Sequence, residues 1–385
     1  MTVVVVGGGI VGLASAYYLA TRGRDVVVCE RGTVGGGSTE RSAGGIRAQF
    51  STPVNVELSV ESMRVWDRFE AEFGVDIGYR QVGYLFLART AATAEAFREN
   101  VAMQRERGVP SELLDPETAR EHCPALHAEQ FQAATYSPTD GFADPYLALQ
   151  GFATAAREAG VDVRTKTPVT AIHRERGGAG RVTGVDAGGE HVEATHVVDA
   201  AGAWAADVAA LADVDLPIAP RRRQALVVDP ETPLPEDVPL TIDLDTGSYF
   251  RPEREGAAIV GGHFEATDPD QDPDDYCQSI DLEWAATALE RAADCAGYFG
   301  PDSRIRRGWA GLYAVTPDHH PIVEETVPGF VTAAGFSGHG FQHAPATGRL
   351  VAELVCDGCA SLVDVGDLHS DRFVDGESLV ERNVA

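Results

Sequence analysis

Gly7, Gly9 and Gly12 follow four consecutive valines, Val3 to Val6, in GxGxxG spacing. Residues of that type at that spacing can cradle a pyrophosphate. Gly7 permits a tight turn, Gly9 lets the main chain approach phosphate oxygens, and Gly12 lets a helix pack closely on its strand. A helix opening at Ile10 and Val11 would turn unpaired amides toward the anion. Glu30, closing the apolar run "DVVVCE", is placed to accept hydrogen bonds from a ribose. Such chemistry needs a strand over 3–6, a helix over "IVGLASAYYLATRG" capped near Gly23, and a second strand ending at Glu30. The sequence supplies all three, which specifies a dinucleotide but does not choose between FAD and a nicotinamide nucleotide.

The stretch after Glu30 bears on that choice. "RGTVGGGSTERSAGGIRAQF" offers backbone amides, the hydroxyls of Ser38 and Thr39, and the guanidinium groups of Arg31, Arg41 and Arg47. A nicotinamide fold would normally proceed here to its next helix and strand; a long polar loop instead suits an extended, phosphate-bearing cofactor lying along it. Far downstream, "TAAGFSGHGFQHAPATGRLVAELV" repeats the arrangement of an apolar strand, a glycine cluster and an alanine-rich helix. Asp318, His319 and His320 in "TPDHHP" look like metal ligands, but neighbouring residues on a strand face opposite sides, so the segment reads as a supporting loop. Cys356 and Cys359 form a CxxC with no second pair or histidine to complete a site, which reads as a helix end carrying two thiols. No metal is expected.

Composition bounds the partners. The 59 acidic against 31 basic residues give a formal charge of -28 in 385 residues, which repels nucleic acid and anionic membranes. Lys166 is the only lysine. A surface so acidic suits high salt, where screening shortens repulsion to roughly 3 Å at molar ionic strength. No apolar run reaches the roughly 18 residues of a membrane span, and no leader-like segment precedes the first strand, so the expectation is a cytoplasmic, halophilic protein. Six cysteines without a framework spacing agree with a reducing compartment.

The remaining pattern alternates between two kinds of unit. Residues 56–73 read as an amphipathic helix, "GYRQVGYLFLA" as the start of an antiparallel region, and "VDVRTKTPVTAIHRER" as strands returning to the first unit. From about 217 to 310 the pattern is strand-like, broken by a helix over 282–296. The implied fold is α/β: a Rossmann-like dinucleotide-binding unit (1–78, 146–215 and 311–385) interleaved with an antiparallel-sheet α+β substrate unit (79–145 and 216–310), with ligand chemistry at their junction.

Together "GGSTERSAGGIRAQF", "HVVDAAGAWA", "GLYAVTPDHHPIV" and "GFSGHGFQHAPATGRLVAELV" identify a resemblance over nearly the whole length. The chain resembles the D-amino-acid oxidase superfamily of FAD-dependent amine oxidoreductases, in the branch of sarcosine oxidase and the proline dehydrogenase β subunit. The resemblance implies that the dinucleotide-binding unit is a glutathione-reductase-type FAD-binding unit, with FAD held non-covalently by the residues already named and by Ser42, Gly45, Ile46, Val169, Ala201, Gly202, Trp204, Gly311 and Tyr313. It implies that the late glycine loop, through Gly338, His339, Gly340, Phe341 and Gln342, folds back beside the first unit and aims a helix N-terminus at the flavin. It further implies Arg47 on the substrate carboxylate, Tyr249, His263 and Tyr313 lining the pocket, and His339 and Gln342 close to the reaction, with hydride passing to the flavin.

Departures from the family sharpen the expectation. Gly311 stands where monomeric sarcosine oxidases carry the cysteine that tethers FAD. Gln342 and Ile259 stand where they carry lysines, so dehydrogenase behaviour is favoured over oxidase behaviour. The glycine-oxidase branch has an arginine at the place of Tyr313; its absence points to a secondary or N-methyl amine, unless Arg251, Arg306 or Arg307 supplies the charge. Oxidation of D-amino acids or 2-hydroxy acids on the same scaffold, and a non-catalytic FAD-binding subunit of an electron-transfer complex, remain open. The branch also leaves room for an acceptor protein or partner subunit.

Overall fold

Val3 to Val6 are all buried because their strand, β1 (Thr2–Val6), lies inside a parallel sheet, between β2 (Asp25–Cys29) and the strand His196–Asp199. A strand buried on both faces has no polar face to keep, which is why the run is unbroken valine. The structure, a computed structural model, describes residues 1–175, 180–264, 267–375 and 379–384. The six-stranded sheet runs in the order Ile322–Val327, Phe330–Ala334, His196–Asp199, β1, β2, Asp162–Arg164, and only its first strand is antiparallel to its neighbour.

Helix α1 (Ile10–Thr21) leaves β1 through the glycine turn. Gly7 has φ +108°, and a Cβ on Gly12 would lie 2.0 Å from the Gly7 carbonyl oxygen, so only hydrogen fits there. The helix Gly340–Asp357 packs directly on α1: a Cβ on Gly348 would lie 2.7 Å from the carbonyl carbon of Ala14. Leu19, Ala346, Leu350 and Val351 are fully buried in the seam with β1 and β2. The helices that follow the two glycine clusters, distant in sequence, therefore pack side by side on one sheet.

An eight-stranded sheet forms the other layer, in the order Arg304–Val315, Ala219–Asp229, Ala258–Gly262, Ser248–Pro252, Leu240–Asp243, Tyr84–Ala88, Ala133–Ser137, Glu112–Leu114. It is antiparallel except where Leu240–Asp243 runs parallel to Tyr84–Ala88, so the sheet is mixed rather than wholly antiparallel. Helix Leu282–Cys295 covers it with Trp284, Ala285, Ala288 and Ala292. A three-stranded antiparallel sheet, Val169–Arg174, Val182–Ala187 and Glu190–Glu193, completes the framework.

The single helix expected over 56–73 is two, Pro53–Trp66 and Phe69–Phe73. Proline at the first helical position starts the first of them earlier than the apolar periodicity suggested. Among the described residues no helix is long and apolar enough to cross a membrane.

Candidate active site

A cavity of about 730 Å³ opens between the two large sheets, at the large end of the range for small-molecule sites. Both glycine clusters contribute to its wall: Gly7, Gly9, Ile10 and Val11 from the start of α1, and Gly338 to Gln342 from the start of the Gly340–Asp357 helix. Neither helix has a hydrogen bond from its own N-cap side chain. Thr39 partly replaces a cap for α1, its Oγ1 accepting the Ile10 amide at 3.2 Å. Two helix starts with free amides facing one long cleft form a site for anionic groups.

At one end Glu30 accepts hydrogen bonds from the Gly8 and Gly32 amides at 2.8 and 2.6 Å, which fixes its carboxylate beside the glycine turn. Arg31 pairs with Asp274 at 2.7 Å and lies over the Trp204 ring, whose Nε1 also donates to Asp274. Val169, Ala201 and Gly202 line the wall between. Along the middle, Gly36, Gly37, Ser38, Thr39, Ser42 and Gly45 line the cleft. Arg41 does not point its guanidinium at an open phosphate site: it donates to the carbonyls of Gly36 and Gly37 at 2.7 and 2.9 Å and thereby stiffens the loop. Ser38 donates to Leu312 and Trp309 to Arg41, tying the loop to the strand that carries Gly311 and Tyr313.

At the other end Arg47, Tyr84, Tyr249, Tyr313, His339 and Gln342 face the cavity together. Burial pushes the phenols of Tyr84, Tyr249 and Tyr313 up, so all three remain protonated donors. Burial likewise holds His339 and its hydrogen-bonded neighbour His343 well below the usual histidine range, so both imidazoles are neutral. Arg47 is buried, stacked on Phe50 at 3.8 Å to the ring centroid, and its main-chain amide donates to Gln342 Oε1 at 2.8 Å. Its fork is already engaged: Nη1 donates to the Gln49 carbonyl at 2.7 Å and Nη2 to the Asn383 carbonyl.

Three predicted site residues do not reach the cavity wall. Gly12 lies beneath the turn, where its absent side chain lets α1 approach Gly7. Ile46 is fully buried behind the loop. His263 stands just past the strand Ala258–Gly262, its amide on the Gly247 carbonyl and its Nε2 3.9 Å from Asp268. It is not among the residues that line the cavity, although Asp268 beside it also holds the cavity residue Arg223.

Sequence reasoning missed Tyr84 and Arg223. Tyr84 looks like one more apolar residue in "YLFLA", yet its hydroxyl stands where a Gly45 side chain would begin, 1.9 Å from the built Cβ. Arg223 lines the cavity, lies 5.4 Å from the Tyr313 ring centroid, and makes two 2.8 Å bonds to Asp268. The run "RRRQ" gave no means of telling its members apart. Of the arginines considered as substitutes, Arg251 is buried on the carbonyls of Ala43 and Pro252, Arg306 pairs with Asp229, and Arg307 lies over Trp309.

Away from the cavity, Asp186 Oδ1 lies 2.9 Å from His173 Nε2 and 3.0 Å from His191 Nδ1, three ligand-type groups within 4.8 Å that the sequence reading did not consider together. Asp318 holds Arg372 at 2.7 Å, and His320 bonds Thr52 at 3.0 Å, so "TPDHHP" works as a structural junction.

The cleft fits FAD on its own geometry: an acid beside a glycine turn, a loop of amides, two uncapped helix starts, and an aromatic chamber. Comparison with known proteins agrees. The chain is 32% identical to "FAD-dependent oxidoreductase domain-containing protein 1" of Xenopus laevis over 99% of this chain and 84% of that protein. It is 27% identical to sarcosine oxidase subunit beta of an Arthrobacter species, over 100% and 93% of the two chains. The crystal structure of L-proline dehydrogenase from P. horikoshii superposes with a TM-score of 0.88 at 34% identity, covering 98% of each chain. With residues 2–354 also matching the DAO family model, described as FAD dependent oxidoreductase, the chain belongs to that family of FAD-dependent enzymes.

Proposed function

We propose that this enzyme oxidises the C–N bond of a small secondary or N-methyl amino acid, sarcosine-like or proline-like, to an imine that water then hydrolyses. The observation that carries the reading is that buried Arg47 faces one cavity together with three tyrosines, Tyr84, Tyr249 and Tyr313, that burial keeps protonated. Such a chamber suits a small amino acid's carboxylate at the arginine and its apolar carbon against the rings. The likeness to a sarcosine oxidase subunit and to an L-proline dehydrogenase supports the same substrate class and, for the former, a partner subunit.

FAD, when bound, supplies the hydride acceptor. The residues do the rest. Gly9, Ile10 and Val11, with Gly36, Gly37, Ser38 and Thr39, would hold the phosphates, and Glu30 the ribose. Tyr249 and Tyr313 position the substrate as donors. With the tyrosines protonated and His339 neutral inside an apolar wall, the amine has to enter as the free base. Activity at limiting substrate should therefore rise with pH in step with deprotonation of the amine itself, and a bell centred near the histidine pKa would contradict this.

Gly311 supports a dissociable cofactor, since a cysteine Cβ there would press on the Arg41 side chain at 2.9 Å. Ile259, buried on its strand beside Tyr249, and Gln342 leave both family lysine positions uncharged, which supports a dehydrogenase passing electrons to something other than oxygen.

The test is anaerobic. Sarcosine, dimethylglycine, L-proline, D-alanine and glycolate are added separately to the yellow protein. Bleaching by one of the first three is the expected result; bleaching only by D-alanine or glycolate would redirect the proposal to the other substrate classes, and bleaching by none to a non-catalytic subunit.

A further inference from the structure

The segment Glu381–Val384 runs to the cavity wall, and its first three residues are pinned. The Glu381 amide donates to the Asp318 carbonyl at 3.0 Å, in the same loop that Arg372 clamps. The Glu381 carboxylate, fully buried, accepts from the Ser51 amide and hydroxyl at 2.8 and 2.6 Å, from Thr52 Oγ1 at 2.6 Å, from Asn55 at 3.2 Å and from the Asn383 amide at 3.0 Å. The Arg382 amide donates to Ser51 Oγ at 2.8 Å. Thr52, at the N-cap of Pro53–Trp66, gives its hydroxyl to Glu381 instead of capping its own helix.

The next link reaches Arg47. The Asn383 carbonyl accepts Arg47 Nη2, and the Asn383 side-chain amide donates at 3.1 Å to the Gln49 carbonyl that also accepts Arg47 Nη1. Val384 then lines the same cavity as Arg47. Burial pushes the Glu381 carboxyl up, but the bonds from Ser51 and Thr52 outweigh it and keep the group ionised. A buried carboxylate with five donors is a fixed charge, and a fixed charge can set the orientation of a guanidinium held by the residue two positions on.

We propose that Glu381 and Asn383 are positioning residues for the substrate carboxylate: they form a strap that locks the Arg47 fork in one orientation, with its remaining N–H groups directed at the cavity. This rests on the reading of Arg47 as the carboxylate site, and the strap decides how well that site binds an anion. Phe50 stacking alone would let the guanidinium rotate in its own plane; two carbonyls held by the strap and by Gln49 remove that freedom.

The test uses FAD-loaded protein and reads perturbation of the flavin's visible spectrum by acetate, with acetamide as the neutral probe of the same shape. In the wild type, acetate should bind more tightly than acetamide. Glu381→Gln should weaken acetate by about tenfold, the scale of a misaligned charge-assisted pair, leave acetamide within about twofold, and keep FAD affinity within about threefold. Asn383→Ala, which removes only the bond to Gln49, should shift acetate in the same direction by a smaller factor, and serves if Glu381→Gln does not fold. Unchanged acetate binding in a folded variant, equal weakening of both probes, or tighter acetate would overturn the strap's role. A wild type that does not distinguish acetate from acetamide would overturn the Arg47 site itself, and the strap with it.

Discussion

Asp199 is the residue whose charge the fold opposes most plainly. It ends the strand next to β1, fully buried, with Oδ1 accepting the Ala201 amide at 3.0 Å and Oδ2 without a hydrogen-bond partner among the described residues. Burial raises its pKa to about 8. An acid that keeps its proton in the native state while the unfolded chain loses it near pH ~4 makes stability fall as pH rises through that window. The loss should continue up to pH about 8 and then level. Asp199→Asn should flatten this slope, so its melting temperature should exceed the wild type's at pH 9 more than at pH 5; parallel curves would show that the carboxyl is ionised in the fold. Arg47 makes a separate prediction at the same scale. Arg47→Ala removes a charge-assisted anchor, so KM for a carboxylate substrate should rise roughly 10- to 100-fold, more than FAD occupancy falls, and equal losses would make it a cofactor residue. The sequence motifs and the family resemblance they carry brought Arg47, Tyr249 and Tyr313 to notice. They could not reveal that Asn383 occupies the Arg47 fork, because nothing in "LVERNVA" marks a partner several hundred residues away.

Elements were more legible than contacts. Four valines, three spaced glycines and an acid define strand, turn, helix and strand because each residue there answers a local steric demand. The packing of α1 on Gly340–Asp357 depends on a close approach that no local pattern encodes. It brings Gly348 against the main chain at Ala14, with a built Cβ 2.7 Å from the carbonyl carbon and 2.9 Å from its oxygen. Gly348→Val should destabilise the protein by about 1–3 kcal/mol through overpacking against rigid backbone and should weaken FAD retention, because both helix starts shift when the seam opens. A melting temperature unchanged within error would mean the helices can separate without consequence. The parallel pairing of Leu240–Asp243 with Tyr84–Ala88 was illegible for a similar reason: strand direction is set by the long connection between them rather than by side-chain alternation.

On the scale of the whole molecule, charge and connectivity each have a consequence. A formal charge of -28 acts over the whole surface, and added salt shortens its range from about 8 Å at physiological strength to about 3 Å at 1 M. Melting temperature should therefore climb with potassium chloride, and indifference to salt between 0.1 and 2 M would count against a salt-adapted surface. Connectivity matters more to function, because the early and late glycine clusters meet at one cleft and the account requires both to grip a single FAD. The direct measurement is FAD affinity, by fluorescence titration of flavin-free protein, for the wild type, Gly9→Val and Gly340→Val, each checked for native circular dichroism. The account predicts one FAD per chain and a loss of at least about tenfold in affinity from either substitution, since both glycines line the cavity at a helix start and a side chain at Gly340 would press on the wall residue Phe336 at 3.1 Å. Full affinity in a folded Gly340→Val would contradict it, because the late cluster would then take no part in holding the cofactor.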